Sequence, residues 1–140
     1  MSEFKLELPL SIIIPRKTKA DKTFQLNMNV YRNSHYMTLN DAKVKFKEII
    51  ACKISLMDFK CGDFPLPPWE FIYTVYPGTK RMFDVANICA VIDKFTCDAL
   101  QELDVIPDDN YKNIGRIVYC IGLQDKNNPR AELCITSLAR

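Results

Sequence analysis

Polar and apolar residues alternate from Phe4 to Leu8, and an apolar run follows to Ile14, so residues 4–14 read as one strand ending before Pro15. Residues 15–37 ("PRKTKADKTFQLNMNVYRNSHYM") are polar, basic and dotted with aromatics, without helical periodicity, and predict a long loop or a strand pair. Asn40 or Asp41 is placed to cap a helix running to about Ser55, with Ala42, Phe46, Ile49, Ile50 and Lys53 spaced for one face. "CGDFPLPP" is a connection, because its prolines and glycine break any helix. "WEFIYTVYP" is rich in the β-branched and aromatic residues that strands favour. A second helix is expected over Asp84–Leu103, with Pro107 in the turn after it. "IGRIVYCIGL" and "AELCITSL" read as two strands joined in a hairpin by "QDKNNP". The order β–α–β–α–β–β predicts a single α+β domain over residues 1–140, a small mixed sheet with two helices packed on it.

An apolar content of 48% is enough for a core of that size. No apolar run approaches the roughly 20 residues of a membrane span. "SEFKLELPLSIII" does not read as a signal peptide, since Glu3 and Glu7 interrupt it, and a cytoplasmic protein is expected, with no membrane and no small-molecule cofactor involved. The six cysteines show no C-x-x-C spacing, and His35 is the single histidine, which excludes a zinc site of the usual pattern. The cysteines are therefore expected as reduced, mostly core residues. With four glycines and no G-x-x-x-x-G-K or G-x-G-x-x-G, no phosphate cradle of those kinds exists.

Charge is unevenly distributed. Residues 15–60 hold ten Lys/Arg against four Asp/Glu, whereas residues 84–109 hold seven Asp/Glu against Lys94 alone. That polarity suggests a polyanion on one surface and a cation on another. On an ideal helix over 84–103, Ile88, Ile92, Phe95, Ala99 and Leu103 share the face expected to pack on the sheet. Asn87, Lys94 and Asp98 form a narrow stripe beside it, and Asp84 starts near the same side. Asp93 points nearly opposite and reads as a solvated residue. Pro107 can turn Asp108 and Asp109 back towards the sheet, and converging carboxylates favour a hard divalent cation, Mg²⁺ or Mn²⁺. The same residues also fit a purely structural account. Asp84 could be an N-cap, Asp98 could pair with Lys94 at i,i+4, and Asp108–Asp109 could be turn residues.

The arrangement of these residues resembles the core motif of the RusA-type Holliday-junction resolvases, small phage and prophage endonucleases. That motif runs D-x-D-N, a lysine, D-A-L, and then a D-D pair beginning ten residues after the aspartate of D-A-L. Here "DVAN" is Asp84–Asn87, Lys94 stands four residues before Asp98 of "DAL", and Asp108 stands ten after Asp98. The sequence departs from the motif twice. Ala86 stands where the family has its second aspartate, and four extra residues separate Asn87 from Lys94. The insertion adds about 1.1 helical turns, so facing is kept while Lys94 and Asp98 move about 6 Å along the axis. Asp98, or Asn87 as a neutral oxygen ligand, is a candidate to stand in for the missing carboxylate.

The resemblance implies a RusA-like fold and Mg²⁺-dependent phosphodiester hydrolysis (Mn²⁺ being an alternative ion) at four-way junctions, forks or flaps, in recombination, repair or phage DNA processing. It casts Asp84, Asp98, Asp108 and Asp109 as metal ligands, with Asp84, Lys94, Asp98 and Asp109 catalytic and Asn87 supporting them. Arg16, Lys17, Lys19, Lys22 and Arg32 are expected to contact phosphates, with Tyr31 and His35 also at the DNA. Phe24, Tyr31 and Tyr36 are candidates for stacking on exposed bases, and Asn27, Asn29 and Asn33 for sugar–phosphate hydrogen bonds. Lys43, Lys45 and Lys47 would extend the basic surface. Cutting two strands of a junction favours a homodimer, with Trp69 and "PLPPWEF" as a candidate interface. Two alternatives remain: a DNA-binding module of the same fold that has lost cleavage, and a small interaction protein whose charges are only surface.

Overall fold

The computed structural model describes residues 2–57 and 61–138, the Cys61 side chain excepted. The chain is mixed α+β, with a four-stranded mixed sheet, a two-stranded hairpin and three helices. Strands β1 (Phe4–Leu8) and β2 (Ser11–Ile14) come first, so the predicted first strand is two. Pro9 offers no N–H to a ladder, and the break there sends the two halves into different sheets. Strand β3 (Lys22–Gln25) pairs antiparallel with β2, so the basic segment 15–37 supplies one strand of a pair rather than both, and its second half is helical instead of loop. Two helices follow, a short α1 (Met28–Asn33) and the 20-residue α2 (Tyr36–Ser55).

Both helices start on side-chain caps. Asn27 Oδ1 accepts from the Val30 N–H at 2.9 Å, and His35 Nδ1 accepts from the Met37 N–H at 3.2 Å. Helix α2 therefore begins four to five residues before the expected Asn40 or Asp41. Its buried face is Ala42, Phe46 and Ile50, as the spacing requires, whereas Lys53 reaches out to donate to the Glu7 carbonyl at 2.9 Å.

Strand β4 (Trp69–Tyr76), helix α3 (Val85–Glu102) and strand β5 (Ile114–Ile121) form a crossover that makes β5 parallel to β4. Strand β6 (Arg130–Ser137) then inserts antiparallel between β4 and β1, giving the order β1-β6-β4-β5. The predicted β5–β6 hairpin is thus absent, because β4 lies between the two strands. The connection 122–129 instead crosses the end of β4, tied there by Gly122 N–H to Val75 O at 2.8 Å and Asp125 N–H to Pro77 O at 2.8 Å. Helix α3 ends on Asp104, whose φ of 58° is the left-handed conformation that closes helices. The chain folds back there, with Val105 N–H and Ile106 N–H both reaching the Leu100 carbonyl and Ile106 buried.

Helix α3 lies between the sheet and the layer made by the β2–β3 hairpin, α1 and α2. Phe95, expected on the sheet, instead packs among Phe24, Tyr31 and Phe46, with ring centroids 5.6–6.4 Å apart. This double burial is why the helix buries an arc wider than one stripe: Cys89, Val91, Ile92, Thr96, Cys97 and Leu100 are all inside. Trp69 is core as well, its Nε1–H donating to Pro65 O at 2.8 Å, so it is not available as an interface residue. Of the cysteines whose side chains are described, Cys89 and Cys97 are buried, Cys120 and Cys134 half-buried, and Cys52 exposed. The expectation of mostly core thiols holds for two of these five. Among the described residues no helix is long and apolar enough to cross a membrane.

Candidate functional site

Asp84 caps α3, its Oδ1 accepting from the Ala86 N–H at 3.1 Å, and its side chain is exposed at the mouth of a cleft. The cleft, of about 630 Å³, lies where β4 ends and α3 begins, and Gln25, Asn27, Asn29, Arg81 and Asn87 share its lining with Asp84. Placement beyond the carboxyl end of a parallel strand, at a helix N-terminus, is the place where α/β crossovers receive anionic ligands. One wall comes from the β3–α1 junction and the other from the β4–α3 loop. Asn87 holds them together: its Oδ1 accepts from the Met28 N–H at 3.2 Å. That bond already uses the oxygen that was to serve as a substitute ligand.

The β4–α3 loop contributes Lys80 and Arg81, both exposed, together with the fully projecting Met82 and the partly exposed Phe83. Sequence reasoning missed these four. The signal was there in "GTKRMFD", a cationic and apolar run directly before the cap, but it fell between two predicted elements.

The other acidic residues gather at the opposite end of α3. Fourteen residues separate Asp98 from Asp84, about 21 Å on a helix. Asp98 is held by Lys43 of α2, Oδ2 to Nζ 3.9 Å, rather than by Lys94. Asp108 forms the turn after the helix: Oδ1 accepts from the Asp109 N–H at 2.7 Å and Oδ2 from Asn110 Nδ2 at 3.1 Å. Partial burial, together with the Asp108 and Asp98 carboxylates, pushes the Asp109 pKa up. Among the described residues no three His, Cys, Asp or Glu side chains converge as a group able to hold a metal ion. Asp84 is thus parted from Asp98, Asp108 and Asp109 within one protomer.

Lys94 is exposed on α3, its Nζ 5.8 Å from the centre of the Tyr31 ring. Arg16, Lys17, Lys19, Lys22 and Arg32 are all exposed, and Arg16 Nε–H donates to the Ala20 carbonyl at 2.8 Å to shape the loop. His35 is occupied as the α2 cap and lies 4.5 Å from the Tyr36 ring, which is itself 74% exposed. Phe24 is fully buried and packs on Phe95, so it has no face for a base. Lys45 and Lys47 of α2 are paired with Glu48 at 3.3 Å and Glu102 at 3.0 Å, and with Lys43 on Asp98 the three do not form a free basic strip.

Asp93 departs most from expectation. It is half-buried over the sheet, where Oδ1 accepts from Tyr73 Oη–H at 2.6 Å and from Cys97 Sγ–H at 3.3 Å. Cys89, Asp93 and Cys97 recur at i, i+4 and i+8, a sheet-side row beside the stripe that was expected to carry the packing. Burial and this carboxylate raise the Cys97 thiol and the Tyr73 phenol well above their usual pKa, and Tyr119 to about 12. Thr96 Oγ1 is buried without a partner among the described residues. No family model matches the sequence, and no curated protein sequence matches it.

Proposed function

We propose that the chain is a divalent-metal-dependent endonuclease of branched DNA, similar to the RusA-type resolvases, working as a homodimer. The observation that carries the reading is the cleft at the head of α3, where the exposed Asp84 carboxylate stands beside Arg81 and a set of amide side chains. Hard oxygen donors next to a cationic loop suit a phosphodiester and its Mg²⁺ or Mn²⁺. Among the described residues a single copy does not assemble a full ligand set. A two-fold pair with antiparallel α3 helices brings Asp84 of one copy towards the partner's Asp108 and Asp109, and these are the residues that would hold the ion. When bound, the metal supplies Lewis acidity and a nucleophilic hydroxide at neutral pH.

The chain's own groups bind and orient. Arg81 and Lys80 meet the phosphate at the cleft, the exposed lysines and arginines of residues 16–32 follow the backbone, and Tyr31 and Tyr36 offer ring faces to unpaired bases. Lys94, beside Tyr31, adds positive charge against a phosphate oxygen. Asp98, whose Oδ2 lies 3.9 Å from Lys43 Nζ of α2, is a further candidate carboxylate for the ion.

A second reading, DNA binding without cleavage, is favoured by Ala86 and by the engagement of Asn87 with Met28. A labelled four-way junction and a matched linear duplex, each in Mg²⁺, Mn²⁺ and EDTA, separate the readings. Metal-dependent paired nicks on the junction alone, lost in Asp84→Asn, support the nuclease. Salt-sensitive junction binding without nicks supports the binding module. Neither binding nor nicking removes both.

A further inference from the structure

Two amide side chains on the walls of the α3 cleft are held in one orientation. Asn27, at the β3–α1 junction, turns its Oδ1 to the Val30 N–H at 2.9 Å. Asn87, on α3, turns its Oδ1 to the Met28 N–H at 3.2 Å. An amide nitrogen cannot accept from a backbone N–H, so only the oxygen fits these places and neither group can flip. The polar end left to each is its Nδ2 amino group. Among the described residues neither Nδ2 has a hydrogen-bond partner, although both side chains are half-buried. The cleft thus presents two fixed donors with no acceptor of the chain's own.

The remaining lining is sorted as well. Leu10, Val75, Pro77 and Ile88 contribute apolar surface, Phe83 adds a ring that is 36% exposed, and Arg81 supplies a cation. A volume of about 630 Å³ suits one small planar ligand and excludes a duplex. Apolar surface, a ring, a cation and unmatched donors are the complement of a nucleotide whose base carries acceptors on one edge. The bases differ there. Guanine presents O6 and N7, two adjacent acceptors; adenine pairs N7 with a donating amino group, cytosine offers a donor, and thymine a single acceptor. An unconstrained asparagine reads adenine by using its oxygen and nitrogen together. Asn27 and Asn87 have already engaged their oxygens, so that mode is closed to them.

We propose that the cleft holds one unpaired guanine nucleotide, with Asn27 Nδ2 and Asn87 Nδ2 donating to its acceptor edge, Phe83 against its ring and Arg81 at its phosphate. The proposal deepens the nuclease reading and rests on it for the source of the nucleotide, a base displaced at a branch. The donor pair itself stands on the two backbone contacts.

Anisotropy of labelled short thymine strands with a central guanine or a central adenine, in EDTA, tests base choice without cleavage. The full chain is expected to bind the guanine strand about tenfold more tightly. Asn27→Ser keeps an oxygen for the α1 cap and removes the amino group. Asn87→Asp keeps the acceptor for Met28 and replaces the donor by an oxygen. Each should bring the two affinities to within about twofold of one another, with an unchanged circular dichroism spectrum. Asn33→Ser, whose amide donates to the Asn29 carbonyl outside the cleft, should keep the preference. The ratio is the readout because a change of charge weakens both strands alike. Side-chain amide NMR signals need no variant: those of Asn27 and Asn87 should shift with guanosine monophosphate and stay in place with adenosine monophosphate. Equal binding of the two strands, or a preference that survives both substitutions, overturns the proposal and leaves the nuclease reading standing. Shifts with guanosine monophosphate while neither strand nor junction binds would support the guanine site and remove the nuclease reading.

Discussion

Replacing Asp93 with alanine separates its observed role from the solvated one its spacing predicts. The carboxylate accepts from Tyr73 Oη–H at 2.6 Å and Cys97 Sγ–H at 3.3 Å, and Tyr73 is wholly inaccessible to solvent. A hydrogen bond to a charged group contributes about 1.5–3 kcal/mol, and stranding a buried hydroxyl costs about 1–3 kcal/mol. The two overlap, and Asp93 is half-exposed, so water can partly replace it; about 2 kcal/mol is the expected loss. Asp93→Asn keeps a carbonyl acceptor and should lose about 1 kcal/mol. Tyr73→Phe combined with Asp93→Ala removes both partners, so the pair should cost less than the sum of the singles, with a coupling of about 1 kcal/mol or more. Trp69 is the single tryptophan and is buried, which makes its fluorescence a direct report of urea unfolding. With a urea slope of about 1–3 kcal/mol/M, the Asp93→Ala midpoint should fall by about 1 M. A midpoint within about 0.3 M of the unaltered protein, with no coupling to Tyr73→Phe, would refute the reasoning and return Asp93 to the surface.

Three other outcomes follow from the same geometry. Of the five described cysteines, iodoacetamide at mildly alkaline pH should modify the exposed Cys52 first and leave Cys89, raised to about 12, and Cys97 unmodified until the protein unfolds, as read by timed peptide mass spectrometry. Phe24→Ala should cost about 3–5 kcal/mol of stability by emptying one fully buried side of the aromatic cluster around Phe95. Tyr36→Ala should stay within about 0.5 kcal/mol, so only the second can report on DNA affinity. Asp109 binds its proton more tightly folded than unfolded, so it favours the folded state at acid pH, and that contribution fades as pH rises from the ordinary carboxylate range through its raised value. Asp109→Asn should therefore flatten the urea-midpoint profile over that window, and an unchanged profile would show that the carboxylate titrates normally.

What the sequence made legible was set by how many sides each element buries. Strand β4, buried on alternate residues, was placed almost to the residue, and helix α2, with one buried face, matched its expected face and C-terminal end but began several residues before its expected cap. Helix α3 has two packing partners, so a single-stripe reading gave its boundaries but assigned Phe95 to the sheet and Asp93 to solvent. The β5–β6 hairpin failed for a different reason. Local turn chemistry in "QDKNNP" cannot reveal that β4 will intervene, because strand order depends on contacts distant in sequence. At the site, Asp84 as cap and Asp108 as turn former were both legible, whereas the cleft was not, since its walls come from segments about sixty residues apart.

The charge asymmetry also changes meaning once the layers are known. The lysines of α2 and the acids of α3 are facing partners, Lys43 with Asp98 and Lys47 with Glu102, and they neutralise one another across the groove between the helices. What stays uncompensated is narrower than the totals implied. Among the described residues, the exposed charges that form no such pair include, on the basic side, Arg16, Lys17, Lys19, Lys22, Arg32, Lys94 and the Lys80–Arg81 pair, and on the acidic side Asp84 at one end of α3 and Asp108–Asp109 at the other. Lys80 and Arg81 adjoin Asp84 in the chain, so cation and anion meet at the mouth of the cleft rather than on opposite faces. On the proposed reading, a polyanion drawn to Lys80 and Arg81 would be delivered to the exposed carboxylate that heads α3, and two such cleft mouths related by a two-fold axis would suit a four-way junction.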